Sequence, residues 1–257
     1  MIRKESTKKE RINKMKSDRT SAKTYRTSFF LLLIAAFFVL SQPAVAQTNF
    51  QGGLNFIAGF PQGEFKDNLD ENGYGLTGEF LYSPSISPLG IGVSLGFMNY
   101  GEESRRESFS GTIREVEVEV KTTNNIVMGH LLLRAQVKQG PIRPYAEGLV
   151  GFNYLFTETK IEDIDDGDEI ASSTNLDDGV FSYGAGGGVM LRLYTGKVKK
   201  TKTLSILLNL GVRYIVGGEA EYLKEGSIET VNDKVVFDKI KSKTDLLTAR
   251  FGVAVEF

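Results

Sequence analysis

Hydrophobic and polar residues alternate with a period of two along eight segments of this chain. This period is that of a β-strand, whose successive side chains point to opposite faces. In the last segment one face is wholly apolar, and the chain ends on an aromatic residue of that face, Phe257. The predicted strands cover about residues 48–59, 73–82, 89–100, 125–137, 143–156, 180–194, 203–216 and 247–257.

The connections between these strands alternate in length. Three are short, at 83–88, 138–142 and 195–202, and four are long, at 60–72, 101–124, 157–179 and 217–243. Short turns on one side and long loops on the other are typical of a bacterial outer-membrane barrel, with both termini periplasmic and the long loops extracellular. A helix has no obvious place in this pattern.

Two long connections contain further strand-like segments. Val116, Val118 and Val120 alternate with glutamates and predict that strand four extends above the membrane. The apolar positions then change from even to odd numbers, which predicts a β-bulge within 121–125. The apolar run 235–237 predicts that strand eight begins before residue 244.

The apolar strand faces need a covering layer, and no segment supplies one, so lipid is the predicted environment. A secreted β-sandwich is the alternative. The strands exceed the usual 5–6 residues, and aromatic residues favour the ends of their apolar faces, as in membrane barrels. We therefore predict an all-β fold, an eight-stranded antiparallel up-and-down transmembrane β-barrel, closed by pairing of its first and last strands.

Residues 1–46 have the pattern of a secretory signal peptide. A basic segment precedes the 12-residue uncharged run 29–40, and Pro43 and the small-x-small sequence 44–46 follow, which predicts cleavage after Ala46. A retained anchor is the alternative, and either Met1 or Met15 could be the start. The remaining barrel domain, 47–257, has 21 Lys and Arg against 29 Asp and Glu, which argues against nucleic acid as a partner.

Cysteine is absent, which excludes disulfides, thiolate metal sites and a lipoprotein anchor.

The signal peptide, the eight strands, the alternating loops and the terminal pattern resemble the small outer-membrane β-barrel family. That family includes the barrel domain of outer-membrane protein A and the outer-membrane protein X and W types. The resemblance implies that the barrel-assembly machinery reads an assembly signal at Phe251, Val253, Val255 and Phe257. Unlike for full-length outer-membrane protein A, we expect no peptidoglycan-binding domain after the barrel.

Charged residues on the predicted inner face point to a ladder of ion pairs. An eight-stranded barrel has an interior just wide enough for side chains to fill, and buried charges need partners. A rigid plug and a narrow gated conduit are both compatible with such a ladder. Its predicted members are Glu79, Arg134, Glu147, Arg192, Arg213, Arg250 and Glu256.

Two other sequence features suggest chemistry only superficially. The glycine-rich segment 184–188 lies within a predicted strand and is followed by no helix, so a steric role is favoured over nucleotide binding. His130 is the single histidine and is predicted to make an inward hydrogen bond. The lipid A deacylase type resembles the predicted fold and uses a His and a Ser two residues apart on one strand, but residue 132 is Leu, so that pairing is absent.

The connection 157–179 holds nine acidic residues. Its sequence departs from an EF-hand loop because Gly167 stands at position five, so a solvated loop and a site for divalent cations that bridge to lipopolysaccharide both remain open. The candidate cation ligands are Asp163, Asp165, Asp166 and Asp168.

These features favour a non-enzymatic outer-membrane barrel with a structural or surface-interaction role through its long loops. A narrow channel for small solutes is the alternative, and a lipid-modifying enzyme is the least favoured. No cofactor is predicted. The expected partners are outer-membrane lipid, lipopolysaccharide, the barrel-assembly machinery and an extracellular ligand that the sequence does not name.

Overall fold

Alternating strands in this chain close into a barrel. The computed structural model describes residues 50–69, 71–84, 87–108, 117–163, 169–199, 202–231 and 234–257, so the predicted signal peptide lies outside the described residues. The elements are β1 (Phe50–Pro61), α1 (Glu64–Asn68), β2 (Gly73–Tyr82), β3 (Leu89–Ser108), β4 (Glu117–Gln136), β5 (Ile142–Asp163), β6 (Glu169–Lys199), β7 (Lys202–Gly217), β8 (Glu219–Val231), β9 (Lys234–Lys243) and β10 (Leu246–Glu256).

Eight of these strands form a closed antiparallel barrel in the order β1-β10-β7-β6-β5-β4-β3-β2. The predicted fold class is therefore confirmed. The seam between the first and last barrel strands runs without interruption from the pair Gln51–Glu256 to the pair Pro61–Leu246. Closure gives every barrel strand two hydrogen-bonded neighbours, which removes the free edges that an open sheet would expose.

The two faces of the barrel wall differ as the period of two predicts. Leu95 on the outer face is 65% exposed, whereas its neighbour Ser94 on the inner face is 3% exposed. Outward apolar side chains on all eight barrel strands are likewise exposed. A continuous apolar belt of this extent is far larger than the patches that soluble monomers expose, so it requires a lipid environment.

Part of the predicted loop 217–243 is a hairpin. Strands β8 and β9 pair with each other, from Glu219–Lys243 to Val231–Lys234, and form a separate two-stranded sheet. The prediction that the last barrel strand begins before residue 244 is therefore wrong, because β9 ends at Lys243 and β10 begins at Leu246.

The expectation that helices have no place in this chain is also wrong, since α1 forms one turn within the connection 60–72. Its two acidic residues, Glu64 and Asp67, lie in the first turn, where the helix dipole favours negative charge. Among the described residues, no helix is both long and apolar enough to cross a membrane.

Strands β3 to β6 continue well beyond the rest of the wall. Pairing of β2 with β3 stops at Tyr74–Asn99, whereas β3 and β4 stay paired as far as Ser108–Glu117. Extension of strand four is thus confirmed for the described residues, while Val116 lies outside them. The predicted bulge within 121–125 is wrong: the register of β4 with β5 is continuous there, and the irregularity lies in β3, between Asn99 and Gly101.

The change in apolar positions along β4 has a different cause. Val120 is buried on the same inner face as Ile126, so the strand keeps its register, and it is the polarity of each face that changes with height. Below the rim, which is the level at which β2 stops pairing with β3, the outward positions are apolar because they face lipid. Above the rim, the inward positions of β4 include both apolar Val120 and polar Asn124, and both side chains are buried.

The extension of β3 to β6 forms a four-stranded sheet whose two outer strands, β3 and β6, have no paired strand on their outer sides among the described residues. This holds beyond residue 100 of β3 and before residue 181 of β6. Polar contacts link the strands across this sheet, including Lys121 to Glu102 at 2.7 Å and Thr122 to Thr159 at 3.0 Å.

Candidate functional site in the lumen

Five charged side chains meet at the centre of the lumen, and we call them the lumen pentad: Glu79, Arg134, Glu147, Arg213 and Arg250. Arg134 Nη2 donates to Glu79 Oε2 at 2.6 Å and to Glu147 Oε2 at 2.7 Å. Arg213 donates through Nη2 to Glu79 Oε1 at 2.6 Å and through Nε to Glu147 Oε1 at 2.7 Å. Arg250 also contacts both glutamates. Each arginine therefore bridges both carboxylates, and all five residues are buried.

Strand register explains why these side chains meet. Arg134 and Glu147 are direct partners on β4 and β5. On the same row, Glu147 lies opposite Gly186 of β6, and Gly186 lies opposite Arg213 of β7. A Cβ at Gly186 would lie 2.8 Å from Arg213 Cγ, so this glycine leaves the space through which Arg213 reaches Glu147. The segment 184–188 thus has the steric role that its place within a strand predicts.

Tyr145 lies against the pentad, and the sequence analysis did not identify it. Its hydroxyl donates to Asn209 Oδ1 at 2.8 Å and accepts from Arg250 Nη2 at 3.1 Å. The Arg134 guanidinium lies 4.6 Å from the centre of its ring, within the range of a cation–π contact. The available signal was its odd-numbered position on β5, where the outward aromatic residues, Phe152 and Tyr154, occupy even positions.

Two members of the predicted ladder lie elsewhere. Arg192 is exposed, because it lies one residue beyond the last β5–β6 pair, Ile142–Leu191, and a register shift follows it. Glu256 pairs with Arg143 at 2.6 Å and is separate from the pentad. The charges therefore form a compact cluster and one further pair, rather than a ladder along the lumen.

His130 makes an inward hydrogen bond, as predicted. Its Nε2 lies 2.9 Å from Ser182 Oγ, across Gly151 of the intervening strand. Ser182 in turn donates to Asn153 Oδ1 at 3.2 Å. A hydrolytic triad needs its third member to orient the histidine. Here Asn153 binds the serine, and all three side chains are buried inside the barrel, so the trio has the geometry of a structural network.

A second closure lies at the barrel end that carries the long connections, which we call the mouth. Phe65 of α1 is fully buried between Tyr100 of β3 and Tyr222 of β8, with ring centroids 5.7 and 5.3 Å apart. The Tyr222 hydroxyl lies 2.7 Å from Ser242 Oγ, and burial raises the pKa of Tyr222 above its ordinary value. These three rings, the mouth cluster, pack against one another above the pentad.

Carboxylates hold the β8–β9 hairpin over the mouth. The backbone N–H of Lys243 on β9 donates to Glu64 Oε2 of α1 at 3.1 Å. On the other edge of the hairpin, the N–H of Glu221 donates to Asp178 Oδ2 of β6 at 2.9 Å. Each bond occupies a donor that a bare strand edge would otherwise expose, so these contacts both attach the hairpin and protect its edges.

Between the pentad and the mouth cluster, buried apolar side chains lie beside buried polar ones such as His130, Asn153 and Ser182. Residues there occur in sequence triplets that are apolar on both faces, such as 126–128 and 131–133, and strict alternation conceals which members point inward. The buried members include Ile57, Met98, Ile126, Met128, Leu132, Leu155 and Ile215. A cavity of about 10 Å³ lies at this level and is lined by side chains that include Ile57, Met128 and Ile215.

Comparison with known proteins agrees with this architecture. The family model described as outer membrane protein beta-barrel domain matches residues 29–193, more than half of the chain. The chain belongs to this family. Membership associates this outer-membrane barrel with the bacterial outer membrane. A comparison with curated proteins found no match.

Solved structures similar to this outer-membrane barrel are distant in sequence. Neisserial surface protein A is 11% identical, with a TM-score of 0.37, and the match covers 80% of this chain and 95% of that one. Ail, the attachment invasion locus protein of Yersinia pestis, crystallised with the heparin analogue sucrose octasulfate, is 14% identical, with a TM-score of 0.35 and coverages of 82% and 97%. A major outer membrane protein from Thermus thermophilus is 15% identical, with a TM-score of 0.36 and coverages of 81% and 99%.

The predicted assembly signal of this outer-membrane barrel lies on the outer face of β10. Phe257 adds a further contact, because its N–H donates to Phe50 O at 3.0 Å and its C=O accepts from Phe50 N–H at 3.3 Å. The two rings stack with centroids 6.2 Å apart. Phe257 therefore closes one end of the seam, which is a structural role separate from recognition by assembly machinery.

The candidate cation ligands are mostly beyond the described part of this outer-membrane barrel. Asp165, Asp166 and Asp168 lie outside the described residues, and Asp163 is the last residue of β5. Within the described residues, no group of three or more His, Asp or Glu is placed to hold a metal ion.

Proposed function

We propose that this protein is a non-enzymatic, non-conducting outer-membrane barrel that acts at the cell surface through its long connections. The observation that carries the proposal is the double closure of the lumen, by the pentad at its centre and by the mouth cluster above it. A conduit would need a continuous polar path, and both levels are occupied by buried side chains. The trio around His130 supports the non-enzymatic part, since its three side chains are buried and Asn153 binds the serine rather than the histidine.

The four-stranded extension supports the surface role. The outer side of β3 beyond residue 100 has no paired strand among the described residues, so an extended segment of another protein can add there as a further strand. The length pattern of the connections supports an extracellular position for this sheet and a periplasmic position for the short turns. Outer-membrane lipid and lipopolysaccharide would surround the apolar belt, and the barrel-assembly machinery would engage Phe251, Val253, Val255 and Phe257.

Planar-bilayer recordings test the closed lumen. We expect the purified, folded barrel to give no stable single-channel steps under conditions in which a porin does. Phe65→Ala opens only the mouth cluster. We expect this variant to give no conductance steps either, because the pentad beneath the mouth cluster remains intact. Reproducible conductance from the unaltered barrel would contradict the proposal and favour a small-solute channel.

Surface labelling tests the orientation. An epitope inserted within residues 109–116, between β3 and β4, should bind antibody on intact cells. The matched control carries the same epitope in the short turn 138–141 and should bind only after the outer membrane is permeabilised. The reverse pattern would place the extended sheet in the periplasm and rule out a surface role.

A further inference from the structure

The lumen pentad carries one more positive than negative charge. Three arginines face two glutamates, and all five residues are at most 9% exposed. The other described ion pair of the lumen, Arg143 with Glu256, is balanced and does not compensate for the difference. An uncompensated charge inside a membrane-embedded lumen is strongly unfavourable. The pentad therefore needs a negatively charged partner that the chain itself does not supply among its described residues.

Arg250 also has an unused donor. Its Nε is buried and has no hydrogen-bond partner within the described part of the chain. Arg250, Arg213 and His130 line the cavity of about 10 Å³ described above. A space of this size accommodates about one water-sized species. The residue that carries the unused donor is thus also one of the residues that line the cavity beside the excess charge.

Two hydroxyl groups of the cavity wall accept hydrogen bonds from neighbouring side chains. Ser94 Oγ accepts a hydrogen bond from Arg213 Nη1 at 3.0 Å, and Thr77 Oγ1 accepts from Asn55 Nδ2 at 3.5 Å. Because these oxygens accept there, their protons remain available to a further acceptor. Thr248 contributes a third hydroxyl to the wall. The wall therefore favours a species that accepts several hydrogen bonds at once.

We propose that this cavity is a binding site for one small monovalent anion of the halide class, chloride above all. The remaining wall residues, Ile57, Met128 and Ile215, are apolar and suit an anion that gives up its hydration readily. A cation would be repelled by Arg213 and Arg250. A water molecule would satisfy the Arg250 donor but would leave the excess positive charge uncompensated.

Crystals of the folded barrel grown in sodium bromide test this assignment directly. We expect an anomalous peak, at the bromine absorption edge, within hydrogen-bond distance of Arg250 Nε and bordered by Thr77 and Ser94. Electron density there without anomalous signal would identify a water molecule and would overturn the proposal, as would an empty cavity.

A solution measurement separates a specific site from general salt effects. The temperature at which the folded gel band converts to the unfolded band should be about 2–4 °C higher in chloride or bromide than in gluconate at equal ionic strength. Arg250→Gln balances the charges and should abolish the shift. Thr77→Val keeps every charge and should reduce the shift, so the test remains valid if Arg250→Gln does not fold.

Arg192→Gln removes an exposed arginine outside the pentad and should keep the full halide-dependent shift. Equal conversion temperatures for the unaltered barrel in halide and gluconate would overturn the proposal. So would loss of the shift in Arg192→Gln, because the effect would then come from surface charge.

Discussion

Glu147→Gln is expected to lower the free energy of unfolding of the barrel by about 3–5 kcal/mol, the usual result of removing one partner from a buried ion pair. Glu147 accepts from all three arginines of the pentad, and its side chain has no exposed surface. The amide keeps the shape of the carboxylate but leaves three guanidinium groups with one carboxylate. Urea unfolding in bilayers or micelles, followed by the mobility of the folded gel band, would measure the loss.

Two further variants show whether the loss comes from charge. Arg192→Gln also removes one charge from the barrel, but at an exposed position, and should change the urea midpoint little. The double variant Glu147→Gln, Arg213→Met returns the pentad to the charge excess of the unaltered protein. It should be less destabilised than the two single changes predict together, with the coupling measured by a double-mutant cycle. Equal midpoints for Glu147→Gln and Arg192→Gln would show that the pentad is not a coupled unit.

Leu95→Arg is expected to destabilise the folded barrel in lipid by about 2–4 kcal/mol, the cost of an arginine on the lipid face near the bilayer midplane. Leu95 lies in the middle of the membrane-spanning part of β3 and is 65% exposed to the outside. In water, an exposed Leu→Arg change would be nearly neutral, so the size of the effect reports the surroundings of this face.

The control for Leu95→Arg lies on the same strand and the same face. Leu89 is the first residue of β3, near the membrane surface, where Leu89→Arg should cost only about 0–1 kcal/mol. Both variants are refolded into vesicles and unfolded with guanidinium chloride. Similar losses at the two positions would contradict the depth assigned to β3 in the bilayer.

The wall of the barrel could be predicted from sequence because lipid imposes one simple rule. Outward positions such as Leu95 and Phe152 must be apolar, and a period of two then fixes the inward positions. This rule placed Glu79, Arg134, Glu147, Arg213 and Arg250 on the inner face. It could not place Arg192, because the height at which β5 begins determines whether an inward residue is buried.

The covering of the mouth and the partners within the lumen could not be predicted in the same way. Phe65, Tyr100 and Tyr222 come from connections or from positions above the rim, where lipid no longer sets the pattern. Tyr145 and Ser182 contact side chains of other strands, and such contacts depend on register and on inward glycines. The change from even-numbered to odd-numbered apolar positions along β4 was interpreted as a bulge. A change in the surroundings of a strand face and a change in strand register produce the same sequence pattern.

Placement of the pentad has a consequence for how the ring is completed. Its members lie on β2, β4, β5, β7 and β10, so they are spread around almost the whole circumference. A sheet with an open seam holds Arg250 of β10 far from Glu79 of β2, and the two meet only when β10 pairs with β1. Ring closure therefore completes the pentad, and partly zipped intermediates keep the Arg134–Glu147 pair of neighbouring strands but lack the contact between Arg250 and Glu79.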